Sequence, residues 1–303
     1  MTTRVTTRTR SSAVAASSTR RRKADRESIA GRIGAMAVLV VLTIYFLIPI
    51  YWLVVSATKS QGDLASTFGF TFSGFHLLAN LKAMFAAQDG LFGRWALNSL
   101  IYAGGGALIG TLISALTGYA LAKFVFRGRE ALFSIILGGV LVPTTALALP
   151  LFLLFAAIGQ VNTYWSVLLP SVVNPFGVYL SRVFTAAAVP DELIESARLD
   201  GAGEFRIFFQ IAFRLMTPSL VTVFLFQFVS IWNNFFLPMV MLQSQQLYPI
   251  TLGLFNWNAE VARYPDLQQS VITGSLVSIV PLIIIFLALQ RFWRTGLAAG
   301  SLK

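Results

Sequence analysis

The sequence contains no cysteine and only one histidine among its 303 residues. The first absence excludes disulfide bonds and thiolate metal sites, and the second disfavours imidazole catalysis and histidine-rich metal centres. We therefore predict no catalytic group and no metal site, and we expect His76 to be a solvated loop residue. A membrane-embedded enzyme is the least favoured function on these grounds.

Charged residues are also scarce, at 12% of the chain, whereas hydrophobic residues make up 56%. This composition is typical of a membrane protein and not of a soluble domain. The net charge of +11 does not indicate nucleic acid, because nine of the 23 Lys and Arg residues lie within residues 1–32, without the interleaved aromatic residues of a single-strand binder. Membrane lipid is a predicted partner and nucleic acid is not.

The apolar residues form six runs that are each long enough for the ~20 residues of a bilayer crossing. The sequence thus predicts an all-α membrane protein with a disordered basic tail over residues 1–32, a six-helix membrane domain over residues 33–290 and a second tail over residues 291–303. The predicted spans are 34–56, 97–121, 131–157, 164–188, 217–242 and 268–290.

The basic residues are distributed very unevenly between the segments that join these spans. Nineteen of the 23 Lys and Arg residues fall on the side of the N-terminus, and the exceptions are Lys59, Lys82, Arg94 and Arg263. Because positively charged segments stay in the cytoplasm, both termini and residues 190–213 are predicted to be cytoplasmic.

None of the acidic residues falls within a predicted span. Carriers coupled to protons or sodium usually bind the ion through intramembrane carboxylates or unwound helix ends, so a stand-alone secondary carrier is a less favoured alternative. The chain also has no GxxxxGK[ST] phosphate loop, so any ATP hydrolysis must occur in another subunit.

Small residues recur every four positions in the second predicted span. This spacing predicts a ridge that lets two helix backbones pack closely, and not a permeation path. The ridge consists of Gly106, Gly110, Ser114 and Gly118.

Two polar sites interrupt the apolar spans and are candidates for lining a solute pathway. Asn174 precedes Pro175 in the fourth span, and Trp232, Asn233 and Asn234 lie in the fifth. For Asn174, a buried amide that ties two helices together is favoured over a place in the pathway wall. The Trp232 segment is equally compatible with an aromatic belt at the membrane interface.

Residues 190–213 form a polar island that holds five of the twelve acidic residues of the chain. Pro190 suits the start of a helix, and Asp200-Gly201 suits its end. A second helix follows, with an apolar stripe predicted at Phe205, Phe208, Phe209 and Ala212. Such a helix pair fits either a docking element for a soluble partner or a well-capped cytoplasmic loop.

The residues of this island resemble the EAA loop of bacterial ATP-binding-cassette (ABC) importer permeases. The resemblance implies a type I ABC importer permease fold, in which this loop is a coupling helix that sits in a cleft of the ATPase subunit. Ser196 replaces the usual second Ala, and Arg214 stands where the family has Pro. The coupling residues that this resemblance implies are Glu195, Ser196, Ala197, Asp200, Gly201 and Ala202.

Other strings resemble the carbohydrate-uptake, maltose-type branch of that family, in particular its second membrane subunit. They are Trp232-Asn233-Asn234-Phe235, Asn98-Ser99, Tyr119 to Lys123 and the C-terminal residues from Gln290. The resemblance implies a sugar substrate, a homologous permease subunit, two ATPase subunits that use ATP and Mg²⁺, and an extracytoplasmic sugar-binding protein. This chain itself is expected to bind no cofactor and to lie in a bacterial-type cell (inner or plasma) membrane. An ABC importer permease for a non-sugar solute shares the coupling loop and stays an alternative.

Overall fold

A computed structural model describes the backbone of residues 11–300, with side chains for residues 31–290 and Phe292. All regular secondary structure in that range is helical, since the apolar runs satisfy their backbone groups internally, as a membrane requires. The helices are α1 (Ser11–Thr58), α2 (Gln61–Ser66), α3 (Leu77–Ala86), α4 (Leu91–Leu100), α5 (Gly106–Lys123), α6 (Arg129–Gly138), α7 (Ala148–Ala157), α8 (Tyr164–Val172), α9 (Pro175–Ala188), α10 (Asp191–Leu199), α11 (Glu204–Ile207), α12 (Phe213–Trp232), α13 (Phe236–Met241), α14 (Ile250–Glu260) and α15 (Leu267–Gly300).

Among the residues that the model describes, five helical stretches are long and apolar enough to cross a membrane. They are Gly31–Thr58, Leu77–Lys123, Tyr164–Ala188, Glu204–Trp232 and Leu267–Gln290. The predicted third span, 131–157, is not among them, because α6 and α7 are separate short helices. Val142 is extended, with φ −80° and ψ 120°, because the ring of the following Pro143 disfavours a helical conformation there.

Two other predicted spans have different boundaries in the structure. The span 97–121 lies within the longer stretch Leu77–Lys123, where a π-helical turn over Ile101–Gly105 joins α4 to α5. The span 217–242 ends early, since α12 stops at Trp232 and α13 starts at Phe236.

The division of the chain into a membrane domain and two tails stays a prediction. Residues 1–10 and 301–303 lie outside the described residues. Where the composition predicted a disordered tail up to residue 32, the backbone from Ser11 onwards belongs to α1.

Helix α5 is the centre of the bundle and packs against α8, α9 and α12. Its ridge of small residues faces these neighbours. A Cβ atom on Gly106 would lie 2.8 Å from Ile231 Cδ1, and one on Gly118 would lie 2.5 Å from Ser181 Cβ and 2.6 Å from the backbone nitrogen of Arg182. The helix axes approach so closely that no side chain fits between them at these positions.

Buried side chains form two hydrophobic clusters at different levels of the bundle. The larger one surrounds Trp95, Trp257 and Phe228, and joins α4, α12 and α14. The smaller one lies at the Lys123 end of α5, where Ala115 and Tyr119 contact residues of α10, α11 and α12. The second cluster therefore connects the predicted coupling segment to the membrane helices.

Replacing Gly118 with Ala tests the close packing of α5 on α9. The new methyl group would overpack the contact with Ser181, and such overpacking costs about 1–3 kcal/mol of stability. Gly104→Ala is the matched control, because nothing lies within 4 Å of a Cβ at that position. Thermal unfolding in detergent should show Gly118→Ala less stable than Gly104→Ala, and equal stabilities would contradict the packing argument.

Candidate functional site

Three interruptions of the membrane helices meet at one cleft of about 710 Å³. They are the segments between α6 and α7, between α8 and α9, and between α12 and α13. Unwound backbone at membrane depth is tolerated where it lines a cavity or is buried in protein. Residues from all three interruptions line the cleft, including Val142, Thr144, Thr145, Val173, Asn174, Asn233, Asn234 and Phe235.

The interruption between α8 and α9 is built by Pro175, which takes the first position of α9. Pro suits this position because a helix leaves the first N–H groups unpaired. Asn174 caps α9 by accepting a hydrogen bond from the Gly177 N–H at 2.8 Å. The predicted pathway residue Asn174 thus has a structural task and also contributes to the cleft wall.

Gln227 of α12 ties both halves of this broken helix together. Its amide donates to the Ser171 carbonyl at the end of α8, over 3.0 Å. It also accepts from the Asn174 side chain at 3.1 Å. The residue is only 5% exposed, and it fits because Gly110 has no Cβ, which would approach the amide nitrogen to 2.0 Å.

Gln227 also lines the cleft, although the sequence patterns did not predict it there. The available signal was a single amide within the apolar part of the fifth span, four residues before Ile231 and six before Asn233. A polar side chain there needs a partner inside the protein, since the bilayer offers none.

The interruption after α12 is explained by Pro238, which has no N–H to bond the Asn234 carbonyl. Thr251 Oγ1 donates to that carbonyl instead, at 3.1 Å. Asn233 is exposed and donates back to the Val229 carbonyl at 2.9 Å. Asn233 and Asn234 both line the cleft.

Trp232 does not line the cleft with the other pathway candidates. Its side chain is buried in the larger hydrophobic cluster. The ring stacks on Phe228, with a centroid distance of 5.6 Å and an interplanar angle of 19°. The residue lies on the inner face of α12, so it contributes to packing and not to an interfacial aromatic belt.

The cleft wall combines apolar and polar groups, of which the apolar groups make up the larger part, and no charged side chain is among the residues that line it. Its hydrogen-bonding groups are amides and hydroxyls, and its apolar part includes the rings of Phe176, Phe226, Phe235 and Phe236. Such a surface can bind a neutral solute through hydrogen bonds and ring contacts, whereas a charged solute would lose its hydration without a counter-charge.

The predicted coupling segment forms a second candidate site at the Lys123 end of the bundle. Pro190 precedes the first helical residue of α10, and the acidic side chains of Asp191 and Glu192 lie in its first turn. At the other end, Gly201 has φ +78°, and the N–H groups of Gly201 and Ala202 donate to the carbonyls of Arg198 and Ala197, each at 3.0 Å. These two bonds define a Schellman cap, in which a left-handed glycine ends the helix.

The second helix of the segment is the beginning of a long helix. Helices α11 and α12 are joined by the π-helical turn Phe208–Ala212, so the chain is helical from Glu204 to Trp232. Arg214, unlike a proline, has an N–H group for the helical ladder. The segment is therefore a hairpin of α10 and the first turns of a long membrane helix, and we call it the 190–213 hairpin.

An ion pair fixes the two arms of the 190–213 hairpin. Arg198 Nε lies 2.7 Å from Glu204 Oε1. The hydrogen bond to Glu204 raises the pKa of the Arg198 guanidinium, which stays charged at physiological pH. At the base of the hairpin, Lys123 Nζ donates to Asp191 Oδ1 and to the Val189 carbonyl, both at 2.6 Å.

One face of the 190–213 hairpin is part of the smaller hydrophobic cluster. Ile194, Ala197, Ile207 and Phe208 are buried there against Tyr119 of α5. The predicted apolar stripe of the second helix is therefore wrong in part. Phe208 and Ala212 are buried, whereas Phe205 and Phe209 are exposed, because the core lies on the side of Ile207 and Phe208.

The opposite face of the 190–213 hairpin exposes both apolar and polar groups. Leu199 is 90% exposed and Phe205 is 78% exposed. The polar part consists of exposed side chains on α10, Glu195 and Ser196, and of Asp200 at its C-terminal cap. Large apolar side chains that surround a turn and face away from the core are typical of a protein interaction site.

Within the described part of the chain, no cluster of three or more His, Cys, Asp or Glu side chains is placed to bind a metal ion.

Replacing Gly201 with Ala tests the left-handed turn of the hairpin. The added Cβ meets no atom within 4 Å, so the cost comes from φ +78° alone, and a left-handed non-glycine residue costs about 1–2 kcal/mol. Gly203→Ala is the control, since Gly203 has φ −71° and also has free space around it. Unfolding measurements should separate the two variants, and identical stabilities would contradict the assignment of strain to the turn.

Replacing Gln227 with Met tests the hydrogen bonds that join α12 to the broken helix. The Ser171 carbonyl and the Asn174 amide would lose their partner, at a cost of about 1–3 kcal/mol. Gln268→Met on the exposed surface serves as the control and should change stability by less than about 0.5 kcal/mol. Chemical unfolding in detergent measures both, and a neutral Gln227→Met would show that these bonds do not hold the cleft wall.

Comparison with known proteins identifies the family of the chain. The family model for the binding-protein-dependent transport system inner membrane component matches residues 110–295. The arabinooligosaccharides transport system permease protein AraQ of Bacillus subtilis (strain 168) is 31% identical over 279 residues, which cover 90% of this chain and 96% of that protein. The lactose transport system permease protein LacG of Rhizobium radiobacter is 31% identical over 255 residues, covering 84% and 90%.

A solved structure has the same fold. A chain in the crystal structure of a bacterial ABC transporter involved in the import of the acidic polysaccharide alginate superposes with a TM-score of 0.75 at 23% identity, covering 88% of this chain and 97% of that one. With the family model matched over more than half of its length, this chain belongs to the family of binding-protein-dependent transport system inner membrane components.

Proposed function

We propose that the chain is one of two membrane subunits of an ATP-driven importer for a neutral sugar or oligosaccharide. It pairs with a homologous permease subunit, and the pair works with two ATPase subunits and an extracytoplasmic sugar-binding protein. ATP and Mg²⁺ are used by the ATPase subunits, because this chain has no phosphate loop. Both termini and the 190–213 hairpin lie in the cytoplasm, as the distribution of basic residues favours.

The observation that carries this proposal is the division of the 190–213 hairpin into a buried and an exposed face. The buried face packs against Tyr119 of α5 and Met216 of α12. The exposed face offers Leu199 and Phe205 to a partner, with Glu195 as a polar contact. A pull on the exposed face is thus transmitted to the central membrane helices through packed side chains.

In this mechanism, ATP binding closes the ATPase dimer and draws the hairpins of the two permease subunits together. The rigid helices then change between inward-open and outward-open arrangements, driven by the different contacts that the ATPase makes in each state. Asp200 and Gly201 shape the turn, and the link from Lys123 to Asp191 holds the hairpin to α5. Ser196 lies on the exposed face, whereas the small residues Ala197 and Ala202 pack the hairpin against the bundle.

The cleft supplies half of the solute pathway, and the partner subunit supplies the other half. Asn174, Asn233 and Asn234 line it together with Gln227, and their amides can donate to and accept from sugar hydroxyls. The rings of Phe235 and Phe236 offer apolar surface to the C–H faces of a sugar. A neutral saccharide is favoured over an acidic one, since no cation lines this cleft. The names of the arabinooligosaccharide and lactose relatives support the same class of substrate.

The double variant Leu199→Ala, Phe205→Ala tests the docking function. Burying a Leu or Phe side chain contributes about 1.5–3 kcal/mol, and each 1.4 kcal/mol corresponds to about tenfold in affinity. We expect at least about tenfold weaker association of the ATPase, measured by titration of the purified permease pair. Leu78→Ala is the control, because Leu78 is also apolar and exposed but lies on α3, at the end of the Leu77–Lys123 stretch that is remote from the hairpin.

The same reconstituted assembly tests the substrate. Neutral oligosaccharides should stimulate ATP hydrolysis in the presence of the binding protein, whereas charged peptides should not.

An unchanged affinity for the ATPase in the double variant would overturn the docking assignment. Transport by the wild-type chain in vesicles without ATP would replace the importer with a stand-alone carrier, and stimulation by a non-sugar solute alone would replace the substrate class.

A further inference from the structure

The segment after α1 is unusually rich in aromatic residues. Residues 64–75 contain four phenylalanines and no Lys, Arg, Asp or Glu. All four rings are exposed, and Phe68 and Phe75 are the most exposed, at 71% and 78%. We call residues 64–75 the aromatic lobe, because no other described loop of this chain exposes so many rings within so few residues.

The aromatic lobe folds back along the last turns of α1. Tyr51 Oη donates to the Phe70 carbonyl at 3.0 Å, and the two rings are nearly parallel with a centroid distance of 6.3 Å. A Cβ on Gly69 would lie 3.1 Å from Trp52 Nε1. Since Tyr51 lies seven residues before the end of α1, the lobe reaches about 10 Å down the helix from its end.

A buried lysine holds the lobe in this position. Lys59 is only 1% exposed, and its ammonium donates to Thr67 Oγ1 and to the Phe68 carbonyl, each at 2.8 Å. The Thr58 carbonyl accepts from the His76 N–H at 2.8 Å and closes the other end of the lobe. The charge of Lys59 is thus turned inward. A carboxylate remains beside the exposed rings, since Asp63 Oδ2 lies 3.8 Å from the position of a Cβ on Gly74.

The length of α1 indicates the depth of the lobe in the membrane. The apolar stretch Gly31–Thr58 has 28 residues, which is about 42 Å of helix and about 12 Å more than the hydrocarbon core. For a helix centred in the core, about 6 Å of helix extends beyond each edge. The last two turns, which the lobe covers, then span the edge of the core. The exposed side chains of Tyr45 and Phe46 continue the apolar surface of the lobe down α1 into the lipid.

We propose that the aromatic lobe is a lipid anchor, whose phenylalanine rings insert into the boundary between lipid headgroups and acyl chains beside α1. Aromatic residues are enriched at this boundary, where an apolar surface with a charged group at its rim fits. The exposed rings of the lobe and the exposed apolar side chains of α1 together give such a surface. A protein partner would meet few polar groups here, whereas protein interfaces carry about one hydrogen bond per 100–200 Å². The lobe lies at the extracytoplasmic leaflet, and this assignment depends on the membrane orientation given in the proposed function.

The absence of cysteine from the native chain permits a clean test by site-directed spin labelling. Phe75→Cys carries the nitroxide label on the lobe. Val41→Cys on the exposed middle of α1 is the lipid reference, and Ala262→Cys is the water reference. Ala262 lies on the same side of the molecule, because Gln61 just before the lobe donates to the nearby Pro265 carbonyl at 2.6 Å. The complete assembly is reconstituted in lipid bilayers, and collisions with oxygen and with a water-soluble nickel chelate are measured.

We expect the Phe75 label to collide more with oxygen and less with nickel than the Ala262 label, at a depth shallower than the Val41 label. Adding Lys59→Met should release the lobe and shift the Phe75 label towards water. Nickel access equal to that of Ala262 would overturn the anchor. Loss of access to both reagents, or protection only after the binding protein is added, would replace lipid with a protein partner. Sugar-stimulated ATP hydrolysis in the same vesicles reports on the proposed function separately.

Discussion

The requirement that every backbone polar group be satisfied within the protein governs this structure, because a bilayer core offers no hydrogen-bond partners. Prolines at positions 143, 175 and 238 break three membrane helices, and each break frees carbonyl groups. The protein satisfies them with a few side chains, such as Gln227 for the Ser171 carbonyl and Thr251 for the Asn234 carbonyl. The breaks meet in one place, so groups that repair them, such as Gln227 and Asn174, also supply polar atoms to the wall of one cleft.

The close packing of α5 connects the cleft to the opposite end of the molecule. Gly110 leaves room for Gln227 at the cleft, and Gly118 lets α9 approach two turns further along the same helix. At the end of α5, Tyr119 packs into the cluster that buries one face of the 190–213 hairpin. A single helix therefore contacts both the proposed pathway and the proposed docking element, which is the arrangement that coupling between them requires.

Local sequence patterns predicted much of the hairpin, since its signals are local. Pro190 and Gly201 act through their own backbone angles and need no distant partner, so the start and the end of α10 follow from the sequence. The orientation of the second helix did not follow. Periodicity assigned Phe205, Phe208, Phe209 and Ala212 to one face, but which part of an apolar helix is buried depends on the position of α5.

By itself, the sequence determined that the chain is a helical membrane protein with a charged, well-capped hairpin, because composition and capping are properties of single segments. Tertiary structure alone decided that Trp232 is a core residue, that Gln227 joins α12 to a broken helix and that Lys59 is buried. These roles depend on partners more than 50 positions away for Gln227 and on a folded-back loop for Lys59. A polar or aromatic side chain in an apolar run indicates that a partner is needed, but only the packing of the helices supplies that partner.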